Sequence, residues 1–145
     1  MVWGTRVSML IGFIASGLAT LIGLTIGVVA GYFGGRTDWI LMRFVDMILS
    51  IPTFFLVLLA SSLFGSNIYS VMVFIGLTLW PSIARIIRGM FLSFKERPFV
   101  DAATASGAKD FHISVIEILP NAIYPAIVQF SFLVGTAILI EAGLS

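Results

Sequence analysis

Long apolar stretches alternate with short polar clusters along the whole chain. The first stretch contains no charged residue between Arg6 and Arg36. A helix rises about 1.5 Å per residue. A helix over most of this stretch is therefore longer than the roughly 30 Å hydrocarbon core of a bilayer. The pattern therefore predicts a first membrane-spanning helix over residues 7–33, followed by a tight turn at Gly34 and Gly35.

Three later apolar stretches predict three more spans. Asp38 precedes the first of these and is predicted as its N-cap, because an aspartate side chain accepts hydrogen bonds from the free amides of a first helical turn. That helix is predicted to continue through Pro52, and the next one to be kinked near Pro81. The chain is thus predicted to be a single all-α membrane domain over residues 1–145. Its four predicted spans are 7–33, 39–63, 68–90 and 119–141.

Arg43 and Asp46 are ionisable residues inside the second predicted span. Their i,i+3 spacing places them on one helix face, so the sequence predicts that they neutralise each other. Ionisable groups within a span are also functional candidates. Because this pair lies near the polar end of the span, the sequence favours a structural ion pair with snorkelling side chains.

Gly23, Gly27 and Gly31 recur every four residues on one face of the first predicted span. Small residues at this spacing allow two membrane helices to approach each other closely. The series therefore predicts a helix-packing face, and lining of a pore is the second interpretation.

Composition supports the membrane assignment and limits the chemistry. Hydrophobic residues make up 59% of the chain and charged residues 10%, with a mean hydropathy of +1.12, whereas charged residues make up about 25% of soluble domains. There is no cysteine, and no glycine-rich loop ending in Lys-Ser or Lys-Thr that could bind phosphates. His112 is the only histidine and has no neighbouring cluster, so no metal or other cofactor is expected. The net charge of +1, without a basic arm, gives no indication of nucleic-acid binding.

The distribution of cations predicts the orientation. Four spans place the turn at 33–38 and the segment 89–118 on the same side of the membrane, and cytoplasmic loops carry an excess of Lys and Arg. Of the eight Lys and Arg residues, only Arg6 lies on the opposite side of the membrane in this arrangement. The segment 89–118 is therefore predicted to be cytoplasmic and both chain ends extracytoplasmic. The cations near the predicted cytoplasmic side are Arg36, Arg43, Arg85, Arg88, Lys95, Arg97 and Lys109.

Residues 89–118 form the only sizeable polar segment. Pro98 suits the first turn of a helix, where its missing amide hydrogen is not needed, and Gly107 supplies the left-handed residue that commonly ends one. Asp110 is predicted to cap a second short helix beginning at Phe111. The segment therefore predicts two short helices hinged at Gly107, and a solvated loop that only joins two spans is the alternative.

One face of the first short helix is small and mildly apolar. Its members follow the i, i+3, i+4, i+7 spacing of a helix face. Another protein could therefore approach this part of the backbone closely. The members are Phe99, Ala102, Ala103 and Ser106.

The same segment carries a specific combination of motifs. Its acid-Ala-Ala triplet is Asp101-Ala102-Ala103, followed by Gly107 and by Leu119-Pro120. This combination resembles the cytoplasmic EAA loop of the binding-protein-dependent ABC importer permeases. Asp101 replaces the usual glutamate, which shortens the reach of the carboxylate. Motifs that resemble the dipeptide/oligopeptide/nickel branch are residues 31–35 followed by Asp38, residues 42–46 running to Ile51-Pro52, residues 92–97 and residues 118–121.

The resemblance implies a fold, a mechanism and a set of partners. The fold is a MetI-like permease bundle in the plasma (inner) membrane, and the loop at residues 91–118 forms coupling helices that sit in a cleft of a cytoplasmic ATP-binding subunit. Asp101, Ala102, Ala103 and Gly107 are implied to form the contact that transmits movement. A second permease subunit and an extracytoplasmic substrate-binding protein are the other implied partners, and peptides or similar small solutes are the implied cargo. Family members are roughly twice this length, so the chain is interpreted as a fragment that lacks helices at both ends.

Two other functions compete with the importer. An ion-driven secondary transporter would place ionisable groups near the bilayer midplane and show internal repeats, and neither is evident in the sequence. A non-transporting membrane scaffold would use residues 89–118 only to recruit a cytoplasmic partner.

Overall fold

The computed structural model describes residues 2–64 and 67–144, and these residues are almost entirely helical. The prediction of an all-α protein is confirmed: no β-strand occurs in either described range. The helices are α1 (Val2–Phe33), α2 (Gly35–Leu49), α3 (Thr53–Phe64), α4 (Ile68–Lys95), α5 (Pro98–Ala105), α6 (Asp110–His112), a π-helical segment (Ile113–Ile118) and α7 (Leu119–Leu144).

Three helices are long and apolar enough to cross a membrane. They cover Met9–Phe33, Met72–Lys95 and Asp110–Ile140. The helices α2 and α3 are long and apolar enough to cross a membrane only when taken together. They are bent by 76° relative to each other. The described chain therefore has three continuous candidate spans and one broken candidate.

The two helices α1 and α4 pack closely along three glycines. A Cβ added to Gly23 would lie 2.6 Å from the Cβ of Ile83, and one added to Gly27 would lie 2.7 Å from the Cβ of Ile87. Gly31 is in equally close contact with Phe91, whose side chain is fully buried. Only glycine allows the two backbones to approach this closely.

The register of these contacts shows that α1 and α4 are parallel. Contact positions on α4 advance from Ile83 to Phe91 as those on α1 advance from Gly23 to Gly31. Both helices therefore end on the same side of the bundle, and α4 begins on the opposite side. The intervening α2 and α3 must carry the chain across between these sides, so together they form one broken span.

The expectation of a continuous second span through Pro52 is wrong. The α2 helix ends at Leu49, and the amide of Ile51 bonds the carbonyl of Ile48 at 3.2 Å instead of continuing the helix. Proline has no amide hydrogen for a helical bond and disfavours helical conformation in the residue before it. At Pro52 these effects end one helix and begin another, and the predicted single rod becomes a bent pair.

The last long helix also begins earlier than the sequence predicts. The α6 helix, the π-helical segment and α7 follow one another without a break, so the expected second short helix is the first turn of the final span. Lys109, not Asp110, occupies the N-cap. The π-helical turn lies just before Pro120, where the missing proline amide would otherwise disrupt the helix, and π turns are one way in which membrane helices accommodate proline.

Contacts at the far end show how α7 packs. A Cβ added to Gly12 of α1 would lie 3.0 Å from the Ile138 side chain and 3.2 Å from the Val134 carbonyl. Residues near the start of α1 thus meet residues near the end of α7, so α7 is antiparallel to α1 and α4. The core between the three helices is apolar and fully buried at Ile11 and Ile75.

Candidate functional site

The candidate site is the elbow, residues 96–109, which connects α4 to α6. The α4 helix ends at Lys95, and α5 begins directly at Pro98. Arg97 occupies the N-cap in an extended conformation, with φ of −88° and ψ of 145°, as the residue before a proline requires. The elbow is therefore a short helix that leaves the bundle at the end of one long helix and returns at the start of another.

Gly107 ends α5 in the left-handed conformation that its position in the sequence predicts. Its φ is 81°. Its amide bonds the Thr104 carbonyl at 3.0 Å, and the next amide, that of Ala108, bonds the Ala103 carbonyl at 3.1 Å. These bonds satisfy carbonyls that the end of a helix leaves free. A side chain at Gly107 would meet nothing within 4 Å, so the requirement for glycine is conformational.

The exposed face of α5 differs from the predicted one at a single position. Phe99, Ala102 and Ser106 are exposed, as a contact face requires. Ala103 is partly buried and packs against the core, next to the buried Val100. Three of the four residues in the predicted set are therefore exposed and available to a partner.

Asp101 lies on the other side of α5 and lines a cleft of about 500 Å³ beneath the elbow. Helical spacing places it far from the exposed face that holds Ala102 and Ser106. Within residues 2–64 and 67–144, no group of three metal-ligating side chains is placed to hold an ion. The cleft is lined by Tyr32, Phe33, Lys95, Val100, Asp101, Thr104, Asp110, Ile113, Ser114 and Ile118.

The base of the elbow is fixed to the end of α1. The ammonium Nζ of Lys95 donates a hydrogen bond to the Tyr32 carbonyl at 2.8 Å and lies 5.9 Å from the centre of the Tyr32 ring. A cation is favourable at this place because the last carbonyls of a helix carry partial negative charge. The Phe94 and Phe99 rings, 6.3 Å apart, connect the end of α4 to the start of α5.

Two ion pairs join α4 to α2 just before the elbow. Arg88 donates from Nε and Nη2 to the two carboxylate oxygens of Asp38, at 2.5 and 2.6 Å. Arg85 pairs with Asp46. The first pair corrects the predicted N-cap role of Asp38, since Asp38 lies within the first turn of α2 while Gly34 occupies the N-cap.

Arg43 does not form the predicted ion pair with Asp46. Its guanidinium lies 5.8 Å from the centre of the Trp39 ring, four residues earlier on the same helix. The sequence signal for the true pairing was weak, because Asp46 and its partner Arg85 are separated by 39 positions. The one sequence feature that favoured this pairing is that Asp46 and Arg85 both lie near the predicted cytoplasmic ends of their spans.

Comparison with known proteins identifies the family. Residues 23–145 match the family described as the binding-protein-dependent transport system inner membrane component. The chain belongs to this family. The match confirms the resemblance inferred from the EAA loop, and together with the apolar helices it makes the chain a multi-pass inner membrane protein.

The relatives with curated names are peptide permeases. The chain is 39% identical to the oligopeptide transport system permease protein OppC of Haemophilus influenzae over 142 residues, covering 98% of this chain and 46% of the relative. It is 37% identical to the dipeptide transport system permease protein DppC of Lactococcus lactis, with coverage of 98% and 41%. For DppC of Bacillus subtilis the identity is 38%, with coverage of 99% and 45%. The chain thus spans less than half the length of these relatives.

Proposed function

We propose that the chain is part of the translocation subunit of an ATP-driven importer of peptides or similar small solutes. The observation that carries the proposal is the elbow: a short helix ended by a left-handed glycine and joined by a short turn to a long helix on each side. The relatives named as oligopeptide and dipeptide permeases support the class of cargo.

The elbow is proposed to be the contact with a cytoplasmic ATP-binding subunit. Phe99, Ala102 and Ser106 present a small exposed surface on α5, and a partner can approach the backbone closely there. Displacement of α5 would reach α4 through the packed Phe94 and Phe99 rings, and would reach α7 through the unbroken helix that begins at Asp110. A movement of the elbow therefore acts on two long helices at once.

The remaining assignments follow from the same proposal. The elbow faces the cytoplasm, because the cations Arg85, Arg88 and Lys95 lie towards its end of the bundle and cytoplasmic regions are rich in Lys and Arg. ATP is hydrolysed by the partner subunit. A second permease subunit completes the translocation pathway through the membrane, and an extracytoplasmic binding protein delivers the solute to it.

A matched pair of substitutions on α5 tests the contact. Ala102→Arg adds a long cation to the exposed face, whereas Thr104→Arg adds the same group on the opposite side of the helix, next to Asp101. The full-length permease is reconstituted in nanodiscs with its ATPase, second permease and binding protein, and ATP hydrolysis is measured with and without the loaded binding protein. Ala102→Arg is expected to abolish the stimulation, and Thr104→Arg to retain it.

Two results would contradict the proposal. A stimulated ATPase rate that survives Ala102→Arg would show that the partner does not contact this face. Solute uptake that persists after ATP depletion but stops with an ionophore would instead identify an ion-driven transporter.

A further inference from the structure

The last turns of α4 carry three cations that each hold a different segment. Lys95 bonds the end of α1, Arg88 pairs with the first turn of α2, and Arg85 pairs with the middle of α2. The two ion pairs differ in their exposure. The side chains of Arg88 and Asp38 are 32% and 14% exposed, whereas those of Arg85 and Asp46 are 54% and 51% exposed.

The ion pair of Arg88 and Asp38 fixes the relative orientation of α2 and α4 as well as the distance between them. Its two parallel hydrogen bonds, at 2.5 and 2.6 Å, join the planar guanidinium to both carboxylate oxygens. Such a pair resists rotation of one helix against the other, which a single-point contact does not. Because Asp38 is mostly shielded and Arg88 partly so, loss of either partner leaves a charge that its surroundings compensate only in part.

The helices on either side of the bend at residues 50–52 are held to α4 in different ways. The α2 helix before the bend is joined to α4 by the ion pairs, and α1 by the three close glycine contacts. The α3 helix after the bend contacts α4 and buries the apolar side chains of Val57 and Ala60, and its described residues form no ion pair with α4. Non-directional apolar contacts of this kind allow small sliding, whereas a bidentate ion pair does not.

We propose that Asp38 and Arg88 are positioning residues that make α2 follow α4 when the elbow is displaced, and that residues 50–52 are the joint at which α3 departs from this motion. The inference rests on the proposed function, since it requires the elbow to be displaced by a partner. It extends the transmission of movement from the elbow to the broken span.

The first test measures how tightly transport is coupled to ATP hydrolysis. The complete reconstituted transporter is assayed with Asp38→Asn, Arg88→Gln, and the exchange of Asp38→Arg with Arg88→Asp. The single variants are expected to retain stimulated ATP hydrolysis within about twofold while solute imported per ATP falls about five- to tenfold, the lower range of typical coupling between sites. The exchange is expected to restore most of the ratio.

Arg43→Gln is the matched control. It also removes a cation from the α2–α4 region, but Arg43 stacks on Trp39 of its own helix and does not reach across to α4. The ratio of solute imported to ATP hydrolysed is expected to stay near the wild-type value in this variant. A fall equal to that of Asp38→Asn would overturn the proposal.

The second test measures the motion itself. This chain contains no cysteine, so label pairs can be introduced without first removing native thiols from it. Exposed positions are Trp39 on α2, Gly89 on α4 and Leu59 on α3. The distance between labels at 39 and 89 is expected to stay constant on ATP binding, and that between 59 and 89 to change. In the Asp38→Asn variant, the distribution of distances between the labels at 39 and 89 is expected to broaden.

The outcomes separate this inference from the proposed function. A change in the 39–89 distance of the unmutated pair would refute the joint motion of α2 and α4, as would ATP hydrolysis and uptake that fall in equal proportion in Asp38→Asn. If Gly107→Pro leaves the response to the binding protein intact, the elbow assignment itself fails. If Gly107→Pro uncouples the transporter while Asp38→Asn does not, only the role of Asp38 and Arg88 fails.

Discussion

Replacing Gly27 by alanine tests the close approach of α1 and α4. The added Cβ would lie 2.7 Å from both the Ala84 carbonyl oxygen and the Ile87 Cβ, about 0.7 Å closer than the 3.4 Å at which ordinary contact begins. Neither atom is the end of a flexible side chain, so the backbones themselves must separate. That separation also loosens the contacts of Gly23 and Gly31, which lie one turn away on each side.

The magnitude combines two opposing terms. Overpacking of a close contact costs about 1–3 kcal/mol, while alanine in place of glycine within a helix gains roughly 0.5–1 kcal/mol. Gly89→Ala supplies the control, because it lies within α4 and an added Cβ there meets nothing within 4 Å. Both variants share the gain in helix propensity, so the difference between them, about 1–3 kcal/mol, isolates the contact.

The assay is unfolding of the full-length permease in detergent micelles, followed by tryptophan fluorescence. Gly27→Ala is expected to unfold at a lower temperature and denaturant concentration than Gly89→Ala, which should equal or exceed the unmodified protein. If the two variants were equally stable, α1 and α4 would not approach each other at Gly27, and the parallel register derived from that contact would be wrong.

Two further predictions concern the elbow. Gly107→Ala should destabilise α5 by about 1–2 kcal/mol, because the φ of 81° is unfavourable for a residue with a Cβ, and Gly107→Asn should cost less; hydrogen exchange of the α5 amides in both variants measures this. Lys95→Met keeps the apolar stem but removes the 2.8 Å bond to the Tyr32 carbonyl. It should lower the free energy of unfolding by about 1–3 kcal/mol, measured as for Gly27→Ala, and an unchanged value would show that water replaces the ammonium without cost.

Much of the candidate site was predictable because its determinants are local. Gly107 adopts the predicted left-handed conformation and Pro98 begins α5, since each residue restricts its own backbone whatever surrounds it. Whether the Ala103 side chain faces the bundle or the exposed surface was not predictable in this way. Helical spacing placed it on the contact face, but the position of the bundle beneath α5 decides which edge of that face is covered.

The ion pairs show why the rest could not be read from the sequence. An i,i+3 spacing predicted that Arg43 and Asp46 would meet, but α4 brings Arg85 to the same carboxylate. Local spacing gives only the neighbours that a helix provides by itself. Once a second helix packs against it, a distant guanidinium with better geometry competes for the acid, and 50 positions separate the partners in the pair of Arg88 and Asp38.

The sequence by itself determined the helical class, the apolar lengths that can span a bilayer, the asymmetric distribution of cations and the turn chemistry of the elbow. Backbone groups in lipid must be satisfied within the chain, so apolar stretches of this length form helices without further information. Only the tertiary structure decided that α1 and α4 are parallel, that the second span is broken by 76° at residues 50–52, and that α4 holds α2 through Asp38. These features depend on which helix surfaces meet, and that is settled by packing between segments far apart in the chain.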